Sequence, residues 1–206
     1  HLVKSLVIPP VPLQPSRSAL KMACKCSSLR VANLPQMDDS KEDVCTLLEA
    51  LEKQCREQPD TVAFRFLSNG ETESASLSYR TLRSQAKQIA AQLSTGSREP
   101  RTALLIFPSG LDFICAFYGC LYAGIIAVPV SLPRNVRQLP RTENIARDAS
   151  VELVLTNDAT QAALESVVSA SMLNALPWQT LEAILQAPTL PVQEVLIEPE
   201  SLAFPQ

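Results

Sequence analysis

Between Arg101 and Pro133 the chain reads RTALLIFPSGLDFICAFYGCLYAGIIAVPVSLP, and this nearly uncharged stretch limits the available folds more than any other part. Thr102 to Phe107 is a short apolar run, and Pro108-Ser109-Gly110 is turn chemistry. Leu111 to Ala123 is long enough for a helix, which Gly124 stops before the β-rich Ile125 to Val130. The spacing predicts a βαβ unit. Both strands are apolar without alternation, the pattern of a parallel sheet covered on both faces. Phe113 to Val130 is also an uncharged run of 18 residues, which meets the lower limit for a membrane-spanning helix. Gly124 and Pro129 punctuate it where a helix-to-strand passage needs a break, and no basic cluster closely flanks its N-terminal side. A buried core accounts for more of these residues than a membrane span does.

On either side the same alternation continues. Asp39-Ser40-Lys41-Glu42 offers a helix cap, and Val44, Leu47, Leu48, Leu51 and Cys55 follow at helical spacing until Gln58-Pro59-Asp60. Thr61 to Leu67 and Ser74 to Leu77, around Asn69-Gly70, read as a hairpin. Ser78 caps a helix whose apolar stripe is Leu82, Ala86, Ile89, Ala90 and Leu93, ending before Gly96. Beyond the central unit, Asn144 to Ala149, with Leu139, reads as a helix, Val151 to Leu155 as a strand, and Ala159 to Val168 as a helix. Leu176-Pro177-Trp178 reads as a loop, Leu181, Ile184 and Leu185 as a short helix, and Val192 to Ile197 as an edge strand. Strand and helix alternation of this kind predicts a doubly wound α/β sheet.

Charge divides the chain in two. Before Asp38 there are five basic residues (Lys4, Arg17, Lys21, Lys25, Arg30) and no acidic ones, whereas the remainder holds thirteen basic against 21 acidic. Residues 1–36 are broken by Pro9, Pro10, Pro12, Pro15 and Pro35 and show no hydrophobic period. They are expected to be an unstructured basic head, upstream of a natural start at Met37 or Met22, with residues 37–206 forming the α/β body. The acidic body gives no electrostatic footprint for nucleic acid. Six cysteines (Cys24, Cys26, Cys45, Cys55, Cys115, Cys120) match neither a zinc nor a redox-pair spacing, and Cys115 and Cys120 lie in the apolar helix as small core residues. That usage points to a reducing, cytoplasmic compartment. The single histidine, His1, leaves no material for a histidine base, a Ser-His triad or a His-ligated metal.

Several motifs together resemble the adenylate-forming ligases, closest to the fatty acyl-AMP ligases. They are Gly110-Leu111-Asp112-Phe113, Phe117-Tyr118-Gly119-Cys120-Leu121-Tyr122-Ala123-Gly124 and Ala127-Val128-Pro129. Leu77-Ser78-Tyr79 with Leu82, and Leu139-Pro140-Arg141 with Ile145 and Asp148, are similar to the motifs flanking that unit in the family. The likeness spans residues 42 to 204. One departure is the single proline near Leu132-Pro133, where the family often has two. The resemblance implies an incomplete N-terminal subdomain of the ligase fold, a mostly parallel sheet flanked by helices. It implies a full-length relative that uses ATP and magnesium to activate a fatty acid as its adenylate and passes the acyl group to an acyl carrier protein. Ser201-Leu202-Ala203-Phe204 is similar to the strand that leads into the family's phosphate-holding loop.

The chain carries no GxGxxG and no GxxxxGK[ST] sequence. By resemblance the phosphate loop and the catalytic lysine would lie beyond Gln206, so no residue is assigned to catalysis, cofactor or metal, and the chain alone is expected to bind no cofactor and to be inactive. Phe107-Pro108-Ser109-Gly110 is the local candidate for an anion, because a strand-to-helix turn points free N–H groups outward. Equally, it is the ordinary connection of a βαβ unit, and Ser109 lacks a partnering base. Arg134, Arg137 and Arg141, spaced by three and four, could share a helix face toward a phosphate or a partner's acidic patch, or be a solvated face. Phe113, Phe117 and Tyr118 could wall an acyl channel or be core. Competing readings are a fragment of an acyl-CoA ligase, and a non-catalytic interaction module or half of a split ligase. As an interrupted fold, the chain would leave residues such as Leu104, Ile106 and Ile126 to Val130 incompletely covered without its C-terminal remainder.

Overall fold

The computed structural model describes residues 6–7, 46–68, 71–94, 101–133 and 135–188. The first helix among the described residues, α1 (Leu47–Glu57), opens with a capping box. Thr46 Oγ1 accepts the Glu49 N–H at 3.1 Å, and the Glu49 carboxylate accepts the Thr46 N–H at 2.7 Å. This helix therefore starts at the T-x-x-E signature; the cap expected at Asp39 to Glu42 lies outside the described residues together with Val44. A small antiparallel sheet has the order β1-β2-β3, from β1 (Leu6–Val7), β2 (Val62–Leu67) and β3 (Glu73–Ser78). The hairpin matches the sequence reading. Leu6 and Val7 pair with Phe66 and Arg65, a two-residue backbone pairing with too little length to carry a hydrophobic period. The rest of the head, Met37 included, lies outside the described residues, as do Asn69-Gly70 and Gly96.

Next, α2 (Tyr79–Leu93) is capped by Ser78, whose Oγ accepts the Thr81 N–H at 3.2 Å. The central unit follows as β4 (Thr102–Ile106), α3 (Leu111–Ala123) and β5 (Ile126–Val130). Gly124 ends α3 in the left-handed region at φ 67°, which only a residue without a Cβ adopts freely. Among the described residues no helix is long and apolar enough to cross a membrane, because Gly124 splits the uncharged run into helix and strand. Further on come α4 (Leu139–Asp148), β6 (Leu153–Thr156), α5 (Asp158–Val168), β7 (Trp178–Thr180) and α6 (Leu181–Gln186). Two 3-10 turns precede α4 and β7, at Val136–Gln138 and Met172–Ala175.

The second sheet is wholly parallel, in the order β5-β4-β6-β7. Trp178 belongs to its outer strand, whereas the sequence placed it in a loop; three residues are too few to show periodicity. The edge strand expected at Val192 to Ile197, and Ser201 to Phe204, lie outside the described residues.

Alternate residues of β4 face two separate cores. Ala103, Leu105 and Phe107 join Leu153 and Leu155 beneath α1, α2, α3 and α6, through Leu51, Leu82, Ile89, Cys115, Cys120 and Ile184. Leu104 and Ile106 join Val128 and Val154 beneath α4 and α5, through Leu139, Ala146, Leu164 and Val168. Leu104 and Ile106 are fully buried, contrary to the expectation that they would lack cover, because α4 and α5 close that face. Ile126 and Val130, on the outer strand, are only half-buried, and Pro129 is exposed.

The tightest approach in the first core is between α2 and α3. Gly119 lies against Ile89 so closely that an added Cβ would sit 2.7 Å from the Ile89 Cβ. Glycine in a helix interior costs about 1 kcal/mol relative to alanine, yet overpacking a closed core costs about 1–3 kcal/mol. Steric crowding decides the sign here, since the obstructing atoms lie at the base of a β-branched side chain. Gly119→Ala is therefore expected to lower the melting temperature, and Ile89→Ala in the same chain to cost less than the two single changes added together. A Gly119→Ala protein that melts higher than the wild type would contradict this packing.

Candidate functional site

In a parallel sheet of this order the chain leaves β4 on one side toward β5 and returns on the other to β6. The carboxyl ends of β4 and β6 thus flank the topological switch point, where open α/β sheets bind ligands. The Phe107-Pro108-Ser109-Gly110 turn stands at this position. Pro108 and Ser109 are exposed, and Gly110 is extended at φ 170° with nothing within 4 Å of a Cβ, so the turn demands no glycine.

Hydrogen bonds within the chain tie the switch point together. Thr156 Oγ1, fully buried, donates to the Ile106 carbonyl at 2.6 Å and joins the ends of β4 and β6. Asn157 caps α5 by accepting the Thr160 N–H at 3.0 Å, while its Nδ2 donates to Asp112 Oδ2 at 2.9 Å. Asp112 sits in the first turn of α3, where its carboxylate complements the free N–H groups of the helix start. A second anion at this turn would meet that fixed negative charge. The Asp158 N–H, at the start of α5, is likewise taken by Glu182 Oε2 at 3.0 Å.

Among the described residues no group of three or more His, Cys, Asp or Glu side chains could hold a metal ion, and the α3 start is matched by the chain's own carboxylate. Nor is there an activated thiol among the described residues. Burial, with the Asp112 charge, pushes Cys115 up to about 12, and burial pushes Cys120 to about 12 and Cys55 upward. All three are free cysteines held protonated at neutral pH.

The other sequence candidates separate. Arg137 lies in a 3-10 turn and Arg141 in α4, so they do not share one helix face; both are exposed, and Arg134 lies outside the described residues. Phe113, Phe117 and Tyr118 are half-buried against the first core. Phe113 stacks on Phe117, and Phe117 meets Tyr118 edge-on, both pairs at 6.1 Å between centroids.

Sequence reasoning missed an electrostatic hub at Glu52. Its carboxylate accepts from Arg83 Nε at 2.8 and 2.9 Å, from Lys87 Nζ at 3.0 Å and from the Tyr122 hydroxyl at 2.8 Å, while Lys87 Nζ lies 5.3 Å from the Tyr122 ring centre. One carboxylate thereby links α1, α2 and α3. Burial opposes its ionisation, but the hydrogen bonds from Arg83, Lys87 and Tyr122 outweigh that and hold it at about 2, below its ordinary 4.5. A folded-state value below the unfolded one adds stability above pH 4.5 that is lost as pH falls toward 2. Glu52→Gln should thus be less stable than wild type at pH 7, with the gap narrowing from pH 4.5 toward 2 in chemical denaturation. A gap independent of pH would contradict the role of this charge.

Comparison with known proteins extends the picture. The AMP-binding enzyme family matches residues 51–205. The chain is 36% identical over 172 residues to the medium-chain-fatty-acid–[acyl-carrier-protein] ligase JamA of Moorena producens, covering 81% of this chain and 29% of that protein. It is 37% identical over 108 residues to the long-chain-fatty-acid–AMP ligase FadD23 of Mycobacterium tuberculosis, covering 49% of this chain and 18% of that protein. Its fold superimposes on a fatty acyl-adenylate ligase from Legionella pneumophila, solved with acyl adenylate and pyrophosphate, with a TM-score of 0.63 and 27% identity over 81% of this chain and 29% of that one. The chain thus spans less than a third of the length of these relatives. The match over most of the body, on the doubly wound sheet already described, places the chain in the AMP-binding enzyme family.

Proposed function

We propose that the protein to which this chain contributes its doubly wound sheet is a fatty acid-activating ligase. In the reaction, a fatty acid carboxylate displaces pyrophosphate from ATP to give an acyl adenylate, and a carrier-protein thiol then takes the acyl group and releases AMP. The observation that supports this reading most is the sustained identity to a fatty-acid–[acyl-carrier-protein] ligase along the α/β body. The contribution of this chain is positional. The Thr156 and Asn157 bonds fix the ends of β4 and β6 relative to α3, and the two cores keep the sheet rigid. Nucleotide and metal would be held by residues outside those described. Its protonated, unpaired core thiols suit a reducing cytoplasm.

ATP–pyrophosphate exchange tests the division of labour. The chain alone should show no exchange with any of a series of medium- and long-chain fatty acids, whereas the complete product of its gene should show acid-dependent exchange and load an acyl carrier protein in preference to coenzyme A. Exchange by the chain alone would overturn the positional role, and a complete product that is silent with every acid would overturn the ligase reading.

A further inference from the structure

Where α1 meets α2, a groove of about 430 Å³ is lined by Cys55, Pro59, Arg80, Arg83, Ser84 and Lys87, among others, and among the described residues its lining holds three cations and no carboxylate. Positions 80, 83 and 87 fall on one face of α2. The carboxylates that pair with these cations stand outside the lining and use only part of their donor capacity. Asp60 engages Arg80 through Nε at 2.9 Å and Nη2 at 3.2 Å, leaving Nη1. Glu52 engages Arg83 through Nε, leaving both terminal nitrogens. The Ser84 hydroxyl, exposed on the same face, makes no hydrogen bond among the described residues. Glu52 thus fixes the Arg83 and Lys87 side chains from behind without occupying the groove.

We infer that this groove is a binding site for a phosphomonoester dianion. Several N–H donors and a hydroxyl arriving from different side chains suit a tetrahedral group with three acceptor oxygens better than a planar carboxylate, and a guanidinium with two free terminal nitrogens matches phosphate in a bidentate manner. The ester oxygen would face solvent through the open side of the groove, so the same chemistry could belong to a soluble sugar or glycerol phosphate or to a phosphatidic acid headgroup.

Calorimetric titration of the full chain at low salt with glycerol 3-phosphate, and co-sedimentation with phosphatidylcholine vesicles containing phosphatidic acid, distinguish these sources. Saturable binding in either arm is the expected result, with acetate at equal concentration binding more weakly. Affinity should fall as pH drops from 8 to 5, following the second phosphate ionisation near about 6. Arg83→Lys keeps the charge beside Glu52 but removes the terminal nitrogens, and should weaken binding about tenfold. Arg80→Gln and Ser84→Ala, which leave the Glu52 contacts intact, should each weaken it by a smaller factor without changing the melting temperature in buffer. Absence of saturable binding in both arms, equal binding of acetate, or binding that Arg83→Lys leaves unchanged would overturn the assignment.

Discussion

Strand β4 has no polar face, and the remaining architecture follows from the need to cover it twice. Its residues from Ala103 to Ile106 are all buried to 1% exposure or less. A strand of that kind is stable only with neighbours on both edges and a helical layer on both faces. Parallel neighbours require crossover connections, which supply those layers: α3 between β4 and β5 on one side, α4 between β5 and β6 on the other. Helices α1 and α2 then thicken the first layer, and Gly119 lets α2 settle directly on α3.

Much of this is legible in the sequence because the signals are strong and local. The apolar runs of β4 and β5, the αL glycine at Gly124 and the stripe from Leu82 to Leu93 each fix an element within a few residues. The differences lie where the signal is short or interrupted: β7 is three residues long, and a 3-10 turn before α4 separates Arg137 from the helix that holds Arg141.

The candidate site was less legible for a different reason. Asp112 and Asn157 lie 45 positions apart, and Tyr122 and Glu52 lie 70 apart. Each looks like an ordinary surface polar residue until strand order brings it to its partner. The Phe107 to Gly110 turn could be located because a strand-to-helix junction is a local feature. That the Asp112 carboxylate is held beside it depends on Asp112 and Asn157 meeting, which no spacing rule reveals.

The described residues build the two-faced sheet and tie the ends of β4 and β6 together at the switch point. Native-state amide hydrogen exchange on the chain tests the central claim, that its own helices close both faces of the sheet. The account requires the amides of Leu104, Leu105, Ile106, Val154 and Leu155 to exchange only through global unfolding, with the same dependence on denaturant as the unfolding transition. Exchange of Leu104 and Ile106 through local opening, as fast as that of exposed Ser74 and Ser76 in β3, would show that the α4 and α5 face is open and would contradict it.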